Sequence, residues 1–403
     1  MSDTIALIST GEELLTGETI DTNSAWLASA IWERGFSVSR MLTCGDALDE
    51  LVWALSEAAL ASDKVICTGG LGPTVDDRTA LALAQWAGVP CLESEEALAQ
   101  ITERYARRGR TVSEANRKQA WLPQGSVVLE NRWGSAPGFA LTHAGTTIVC
   151  LPGVPLEMKK IFESAVAPMW TASTPTVVHK VRTFGVAESR LQAILGDLDL
   201  GEAELGFRAH IPEVQVKLRF DGRTPLERRA AVVERVESAL GDAVYSVDGG
   251  DLAETVVQHL MTRQETVALA ESCTAGLVSG WLGDVSGVSA VLLESVVTYA
   301  NDAKVRLGVL ESDIVTNGAV SESVARAMAV AVRERAKSTW GVAITGIAGP
   351  SGGTPEKPVG TVHIAVSGPG GETHQVAVIP GSRSQVRMRA AGGALALLLR
   401  QLR

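Results

Sequence analysis

The sequence predicts an α/β protein with two larger domains and a small α+β module between them. Three observations predict this class. The 403 residues exceed what one hydrophobic core supports, strand and helix patterns alternate at both ends of the chain, and the central part follows another order. Hydrophobic residues make up 46% of the chain, enough to fill several cores. We place the three domains at residues 1–170, 171–247 and 248–403.

The amino-terminal third alternates strands with helices. Apolar runs at 5–8, 36–42 and 64–67 are typical of strands, and apolar residues recur at helical spacing within 23–34 and 48–59. This β-α-β-α-β order predicts a parallel sheet with helices on both faces, a three-layer α/β/α arrangement.

Two glycine-containing loops, Gly11–Gly17 and Thr68–Asp77, follow strands of this predicted sheet. Open α/β sheets bind ligands at the edge where such loops lie, so we expect the two loops to converge. Gly69, Gly70 and Gly72 let a ligand approach the backbone amides, which favours a phosphate site.

The adjacent carboxylates of Asp76 and Asp77 favour a divalent cation beside that phosphate site. A second interpretation stays open, because Thr74 and Asp77 have the spacing of a capping box and helix dipoles favour acidic first turns. Asp77 would then only cap the helix predicted from Arg78 to Ala87, whereas Asp76 has no such role. The residues alone favour neither interpretation over the other.

The central part has the order β-α-β-β-α-β, which is typical of a ferredoxin-like or KH-like module. Thr171–Pro175 is its predicted linker, and no G-x-x-G loop of the kind that grips nucleic acid lies between a helix pair. The net charge of −10 also disfavours a nucleic-acid partner. We expect a spacer or dimer element. The predicted strands are 177–184, 205–209, 214–220 and 243–246, and the helices are 188–195 and 225–240.

In the carboxyl-terminal third, strands again run into loops rich in hydroxyl groups and glycine. Thr266–Ala270 leads into Glu271–Gly276, and Val342–Ile344 leads into Thr345–Gly353. A second site in a separate α/β domain is therefore predicted.

Several residues compete as nucleophile of this second site. Cys273 lies between a strand and a helix start, where a thiolate is stabilised, but His363 and His374 lie in strand-like runs and offer no evident partner. Thr274 or Ser272 is another choice, which we rank last.

The remaining scheme pairs Ser289 with Lys304. Lysine acts as a base once desolvation lowers its pKa, and Tyr299 would carry the proton. Spacing alone does not choose among these schemes.

Several long motifs of the chain resemble the CinA family, over essentially the full length. The resemblance implies a molybdopterin-binding-like fold for the amino-terminal domain and a nicotinamide mononucleotide amidase domain at the carboxyl end. The motifs are Gly11–Asn23, Thr68–Asp77, Leu151–Lys159, Ala270–Gly276, Val297–Lys304, Asn317–Glu322, Thr345–Gly353 and Lys357–Thr361.

For the amino-terminal domain, the resemblance implies hydrolysis of ADP-ribose to AMP and ribose 5-phosphate with a divalent cation (Mg, Mn, Co or Ni). Asp76 and Asp77 would hold the cation and serve the chemistry, since a cation neutralises phosphate oxygens and activates water. The other residues expected at this site are Glu12, Glu13, Asn23, Thr68, Gly69, Gly70 and Gly72.

For the carboxyl-terminal domain, the resemblance implies hydrolysis of nicotinamide mononucleotide to nicotinate mononucleotide and ammonia, without a cofactor. Ser289, Tyr299 and Lys304 become the catalytic set, and Arg383 clamps phosphate at a helix start. Ala275 stands where the family commonly has glycine. The other residues expected to bind substrate are Glu271, Ser272, Thr274 and, through backbone amides, Thr345, Gly346 and Gly349.

The remaining expectations concern the setting of the protein. Five cysteines without a C-x-x-C pair exclude a disulfide framework and a zinc site. Neither a signal peptide nor a membrane span is evident, so we expect a cytoplasmic protein. The central module and the family resemblance favour a homodimer, and the resemblance implies small nucleotides as partners. The alternative is a regulatory or competence-associated protein whose loops bind a nucleotide or molybdopterin without cleaving it.

Overall fold

A computed structural model describes residues 3–173 and 175–403. The chain divides into two compact units. The first comprises the described residues up to Val177 together with Asp221–Arg223, and the second comprises Val178–Phe220 and Thr224–Arg403. The predicted linker Thr171–Pro175 includes Thr174, which lies outside the described residues.

The first unit contains a six-stranded sheet in the order β2-β1-β3-β8-β7-β6 and a separate β4-β5 pair. Its strands are β1 (Thr4–Thr10), β2 (Ser37–Cys44), β3 (Lys64–Thr68), β4 (Cys91–Glu93), β5 (Trp121–Pro123), β6 (Val127–Leu129), β7 (Gly138–His143) and β8 (Thr146–Leu151). Its helices are α1 (Glu12–Leu15), α2 (Thr22–Trp32), α3 (Leu48–Ala61), α4 (Thr79–Ala87), α5 (Glu95–Ala106), α6 (Glu114–Arg117) and α7 (Pro155–Ile161), and shorter helical turns cover Lys118–Ala120, Phe162–Val166 and Ala167–Met169.

Helices cover both faces of this sheet. One core contains Leu55 of α3 and Leu83 of α4, and the other contains Ile31 of α2 and Met158 of α7. Every residue of β3 is buried, as expected for a strand with helices on both sides. The first unit is thus a three-layer α/β/α sandwich.

The sheet is not parallel throughout, which the sequence analysis did not anticipate. Strands β2, β1, β3 and β8 are parallel, whereas β7 pairs antiparallel with both β8 and β6. The two residues between β7 and β8 explain the reversal, because Ala144 and Gly145 have φ values of 48° and 86°. Two positive φ values in a two-residue loop are the signature of a type I′ hairpin turn.

The central module forms a four-stranded sheet in the order β10-β11-β9-β12. Its chain order is the β-α-β-β-α-β order expected from the sequence. The elements are β9 (Thr176–Phe184), α8 (Glu188–Gly196), β10 (Glu204–His210), β11 (Glu213–Asp221), α9 (Leu226–Leu240), a short 3₁₀ turn (Gly241–Ala243) and β12 (Val244–Val247).

The carboxyl-terminal sheet has the order β14-β13-β15-β16-β17, of which the first three strands are parallel. Helices α10, α11 and α15 cover one face, and α14 covers the other. The elements are α10 (Leu252–Arg263), β13 (Val267–Glu271), α11 (Leu277–Gly283), a 3₁₀ turn (Val288–Ala290), β14 (Leu292–Val297), α12 (Asn301–Leu307), α13 (Glu311–Asn317), α14 (Glu322–Ala336), β15 (Trp340–Gly346), β16 (Thr361–Gly368), β17 (Gly371–Val378) and α15 (Arg383–Leu402).

The central module packs on α15 through a notch of small residues. A Cβ atom built on Gly392 would lie 2.6 Å from the ring of Phe184 and 2.9 Å from the ring of Pro212. Glycine at this position therefore allows both rings to approach the helix backbone. Within the described ranges, no helix combines the length and the apolar character that crossing a membrane requires.

Candidate active sites

A serine and a lysine meet at the carboxyl ends of the parallel strands in the second unit. Ser272 is the first residue after β13, and its amide donates to the carbonyl oxygen of Ile344 at 2.9 Å. Lys304, on α12, is only 2% exposed, and its Nζ lies 3.1 Å from the Oγ of Ser272. Serine and lysine side chains at this distance can exchange a proton directly.

The other contacts of Lys304 are carbonyl oxygens. Its Nζ donates to Thr298 at 2.8 Å and to Tyr299 at 3.3 Å, and no carboxylate pairs with it in the described part of the chain. Burial lowers the pKa of this ammonium group, and a nearby Cys273 charge only partly opposes that effect. A lowered pKa increases the share of neutral amine at a given pH, which favours this lysine as a general base.

Glu271, the last residue of β13, has no exposed surface. Its carboxylate accepts hydrogen bonds from the amides of Val278 and Ser279 at 3.2 and 2.8 Å and from the Ser279 hydroxyl at 2.6 Å. This arrangement fixes the amino end of α11 behind the Ser272 loop. Between Ser272 and α11, Ala275 has a φ of 53°, in the left-handed region that favours glycine.

Two arginines of α15 reach the loops around Ser272. Arg383 donates to the carbonyl oxygen of Gly349 at 2.7 Å and to the Tyr299 hydroxyl at 2.6 Å, and Arg387 donates to the carbonyl oxygen of Thr274 at 2.7 Å. The two arginines are four residues apart and so lie on one face of the helix. They bring positive charge to the site, as a phosphate-bearing substrate requires.

Two buried hydroxyl groups beside Ser272 and Lys304 lack hydrogen-bond partners. They belong to Thr274 and Thr298, which are 0% and 3% exposed. Buried hydroxyl groups are rarely left unpaired, so these two mark places where a bound molecule can contribute a partner.

Cys273 is buried in the core that α10, α11 and α15 cover. Burial raises the pKa of its thiol to about 12, and the charge of Glu271 adds to that effect. His363 and His374 stack on each other, and His374 pairs with Glu322 at the start of α14, on the opposite face of the sheet. The thiol therefore has neither the low pKa nor the histidine partner of a cysteine nucleophile.

The first unit has a cavity of about 430 Å³ where β1, β3 and β8 end. Glycines with positive φ shape it: a Cβ on Gly69 would lie 2.5 Å from the carbonyl oxygen of Thr10, and one on Gly70 would lie 2.2 Å from the Thr79 hydroxyl. Side chains are therefore excluded from this part of the wall, which leaves backbone open to a ligand.

Five carboxylates line the cavity, those of Glu13, Asp46, Asp76, Asp77 and Glu157. Burial raises the pKa of Asp46, the Glu12 amide opposes this by donating at 3.1 Å, and the charges of Glu13, Asp76 and Asp77 raise it further. This concentration of negative charge fits a cation.

No group of three or more His, Cys, Asp or Glu side chains is arranged to hold a metal ion by itself in the described ranges. Magnesium and similar ions are commonly held by one or two carboxylates together with substrate phosphates. The residues present therefore fit a cation that the protein shares with a phosphate ligand.

Asp76 and Asp77 differ in their surroundings. Asp77 accepts hydrogen bonds from the Thr74 amide at 2.8 Å and from the Thr74 hydroxyl at 2.6 Å, which closes the loop between β3 and α4. Asp76 is exposed and makes no such bond in the described part of the chain. Because α4 begins at Thr79 with Arg78 as its cap, the predicted capping box is wrong and Asp77 does not cap the helix.

Two further polar atoms around this cavity are buried and unpaired, the Oγ1 of Thr10 and the Oε1 of Gln119. Glu157 also lines the cavity, and its carboxylate accepts a hydrogen bond from Asn131 at 2.7 Å. Unpaired buried groups next to a glycine-lined cavity are typical of a ligand site.

Comparison with known proteins gives matches over both units. Residues 6–172 match the family described as "Probable molybdopterin binding domain", and residues 250–402 match the "CinA C-terminal domain". A CinA-like protein of Anaeromyxobacter dehalogenans (strain 2CP-C) is 44% identical over 406 residues, which cover 99% of this chain and 100% of that protein. The chain belongs to the CinA family. The resemblance and the fold class inferred from the sequence are confirmed.

Other CinA proteins show the same relationship. A CinA-like protein of Geotalea daltonii is 40% identical and covers 98% of both chains. A solved structure of CinA from Thermoplasma acidophilum is 34% identical and covers 42% of this chain and 99% of that chain, with a TM-score of 0.40.

In this member of the CinA family, the structure does not bring Ser289 and Lys304 together within one chain, so their pairing stays a prediction. Ser289 is an exposed residue of the 3₁₀ turn before β14, whereas Lys304 follows the other end of that strand. Strand β14, which is about 20 Å long, lies between the two residues in the chain. Ser272, ranked last from the sequence, is the serine that contacts the lysine.

Three more predicted residues of this CinA chain make contacts within the protein. Glu271 is fully buried behind its loop. Thr68 is 3% exposed, with its hydroxyl 3.3 Å from that of Ser9. Asn23 donates to the carbonyl oxygen of Gly153 at 2.8 Å, which ties α2 to a loop of the cavity.

The structure places the other predicted residues at or beside the two sites. Thr345 and Gly346 end β15 near Ser272, but the Thr345 hydroxyl donates to the carbonyl oxygen of Ala319 at 2.8 Å. Gly349 contacts Arg383 through its carbonyl oxygen. The amides of these residues remain predicted donors. Glu13, Gly69, Gly70, Gly72, Asp76 and Asp77 line the cavity of the first unit.

The lining residues that the sequence analysis did not name as site residues include Thr10, Asp46, Gln119 and Glu157. Glu157 lies within the Leu151–Lys159 motif, and two others carried a signal in the sequence. Thr10 is the last residue of a predicted strand, and Asp46 follows β2, which ends at the same edge of the sheet as β1 and β3.

Proposed function

We propose that the second unit hydrolyses the carboxamide of nicotinamide mononucleotide to nicotinate mononucleotide and ammonia. The observation that supports this function is the contact between Lys304 and Ser272, at 3.1 Å and shielded from water. Serine hydrolases need a base within hydrogen-bond reach of the nucleophile, and the chain offers one here.

In the proposed reaction, the Ser272 Oγ attacks the carboxamide carbon and its proton passes to the neutral amine of Lys304. The resulting ammonium group then gives that proton to the departing ammonia as the carbon–nitrogen bond breaks, which leaves an ester on Ser272. Water attacks the ester, Lys304 accepts its proton, and transfer of that proton back to the Ser272 oxygen releases the carboxylate product. Lys304 ends in the state in which it began, so the cycle closes.

The recognition groups of the site suit a nucleotide rather than a simple amide. Arg383 and Arg387 bring two guanidinium groups to the loops around Ser272, and the Tyr299 hydroxyl accepts from Arg383. Arginine suits phosphate because its planar donors bind two oxygens at once. The unpaired hydroxyls of Thr274 and Thr298 are available to the sugar or the carboxamide.

A direct assay tests this function. Purified full-length protein is incubated with nicotinamide mononucleotide and, separately, with nicotinamide, and ammonia is measured over time. We expect release from the mononucleotide alone, because the arginines contribute only when a phosphate is present. Ammonia from neither substrate would rule out the proposed amidase.

We propose a second function for the first unit, the hydrolysis of the diphosphate bond of ADP-ribose with a divalent cation. The cavity of about 430 Å³ supports it, because glycine backbone, five carboxylates and two unpaired buried groups surround one space. Asp76 and Asp46 would hold the cation with Glu13 nearby. When bound, the cation would neutralise phosphate oxygens that the acidic wall would otherwise repel.

The same preparation tests this second function. ADP-ribose is supplied with manganese or cobalt, and AMP release is followed with and without a chelator. We expect release that the chelator stops. If neither substrate is cleaved under any condition, the chain is better described as a nucleotide-binding or molybdopterin-binding regulator. The expected homodimer can be checked on this material by light scattering.

A further inference from the structure

A second cavity, of about 440 Å³, shares a wall with the cavity of about 430 Å³ in the first unit. Gly70, Gly72 and Gln119 line both spaces. The linings differ in character: five carboxylates line the first, whereas the second shares Asp77 with it and is dominated by Leu81, Trp121 and other apolar side chains. One molecule with a charged part and an apolar part can therefore occupy both.

Trp121 is the aromatic group of this second cavity. It belongs to β5, and 47% of its surface is exposed. Pro137 and the buried ring of Phe139 also line the cavity. Flat heteroaromatic rings stack on such surfaces, and each stacked base contributes substantially to nucleotide affinity.

Gln119 lies at the boundary of the two cavities and is 7% exposed. Its Nε2 donates to the carbonyl oxygen of Leu71 at 3.2 Å, which fixes the orientation of the amide because a carbonyl oxygen only accepts. Its Oε1 is buried without a partner. This oxygen therefore lacks a hydrogen-bond donor.

We propose that the apolar cavity holds the base of the nucleotide half of the substrate, stacked on Trp121, and that Gln119 Oε1 accepts from an exocyclic amino group of that base. The inference rests on the proposed pyrophosphatase function. It adds a selection rule: an aminopurine such as adenine satisfies Gln119, whereas hypoxanthine presents a carbonyl oxygen there and leaves two acceptors facing each other.

Binding of product halves to the full chain tests the proposal without catalysis. Calorimetry with AMP, IMP and ribose 5-phosphate gives the three dissociation constants. We expect AMP to bind about tenfold or more tightly than IMP, since an unpaired buried acceptor costs at least that much. This comparison needs no variant. AMP and IMP of equal affinity would overturn the proposal.

Variants separate the two contacts. Trp121→Ala should weaken the binding of AMP about tenfold and leave the binding of ribose 5-phosphate unchanged. Trp53→Ala, which replaces a 54% exposed tryptophan of α3, serves as the matched control. Gln119→Leu should weaken the binding of AMP and bring its dissociation constant close to that of IMP. Unchanged AMP affinity in Trp121→Ala would refute the stacking contact.

Hydrolysis distinguishes this proposal from the function on which it rests. If AMP is preferred over IMP but ADP-ribose is not cleaved with any metal, the base site stands and the pyrophosphatase fails. If ADP-ribose and its hypoxanthine counterpart are cleaved with equal KM, the pyrophosphatase stands and the base site is overturned.

Discussion

The side-chain nitrogen of Lys304 lies 3.1 Å from the hydroxyl oxygen of Ser272, although 32 positions separate the two residues in the chain. Two neighbouring parallel strands produce this contact. Strand β13 delivers Ser272, and β14 with the helix after it delivers Lys304 to the same edge of the sheet. The pair therefore depends on the register of the sheet rather than on local sequence.

Replacing the two candidate serines separates the observed contact from the predicted one. Ser272→Ala should lower the rate of ammonia release about a thousandfold, because it removes the nucleophile, whereas Ser289→Ala should leave the rate nearly unchanged. Steady-state kinetics with nicotinamide mononucleotide provide the measurement. An inactive Ser289→Ala variant with an active Ser272→Ala variant would support the pairing of Ser289 with Lys304 instead.

The pH dependence of the amidase should report the pKa of Lys304. Only the neutral amine accepts a proton, so kcat/KM should rise tenfold per pH unit and level off at a pH below 10.5, the ordinary lysine value, because burial lowers this pKa. Lys304→Arg, which stays protonated, should lose about 10² to 10⁴ in rate. A flat profile between pH 6 and 9 with an active arginine variant would contradict a lysine base.

The amidase should not depend on a thiolate. With burial raising the pKa of Cys273 to about 12, the thiol is protonated at neutral pH and reacts slowly with iodoacetamide. Cys273→Ala should therefore keep most of the ammonia release, with at most a loss of stability from the small cavity it leaves. Rapid inactivation by iodoacetamide, mapped to Cys273 by mass spectrometry, would favour the cysteine scheme instead.

Much of the fold could be predicted from residue periodicity. Strands such as β3 are short apolar runs, and helices such as α3 repeat apolar residues at helical spacing, so the sequence itself carries their type and order. The antiparallel β7 was missed because its turn contains Ala144, whose positive φ no simple turn motif announces.

The location of each site was predictable from the sequence, but the contacts between its side chains were not. The loops after β13 and β3 were expected to hold ligands because strands end there. Which serine meets Lys304 depends on strand register, and whether Glu271 faces substrate or α11 depends on the side chain's direction after a strand end. Gln119 belongs to a turn far along the chain from the glycine loop that it contacts, so no local pattern revealed it.

The two adjacent aspartates of the first unit should behave differently when replaced. Asp76→Asn removes an exposed carboxylate that holds no part of the loop, so it should raise the manganese concentration needed for AMP release about tenfold or more without changing stability. Asp77→Ala removes two hydrogen bonds to Thr74 and should lower the free energy of unfolding of this unit by about 1 to 3 kcal/mol.

Metal titrations of AMP release and thermal unfolding measure these two effects. Ammonia release from nicotinamide mononucleotide is the internal control, and both aspartate variants should retain it in full. Equal effects of the two substitutions on metal affinity and on stability would contradict the separate roles of Asp76 and Asp77.

Matched glycine substitutions in two helices should have opposite effects on the second unit. In a helix interior, alanine in place of glycine contributes about 1 kcal/mol. Gly280→Ala in α11 should realise this gain, because nothing lies within 4 Å of the new Cβ. Gly392→Ala places its Cβ 2.6 Å from the Phe184 ring and 2.9 Å from the Pro212 ring, and overpacking of this kind costs about 1 to 3 kcal/mol. Thermal unfolding should therefore show a higher Tm for Gly280→Ala and a lower Tm for Gly392→Ala. A stabilised Gly392→Ala variant would show that the central module does not pack in this notch.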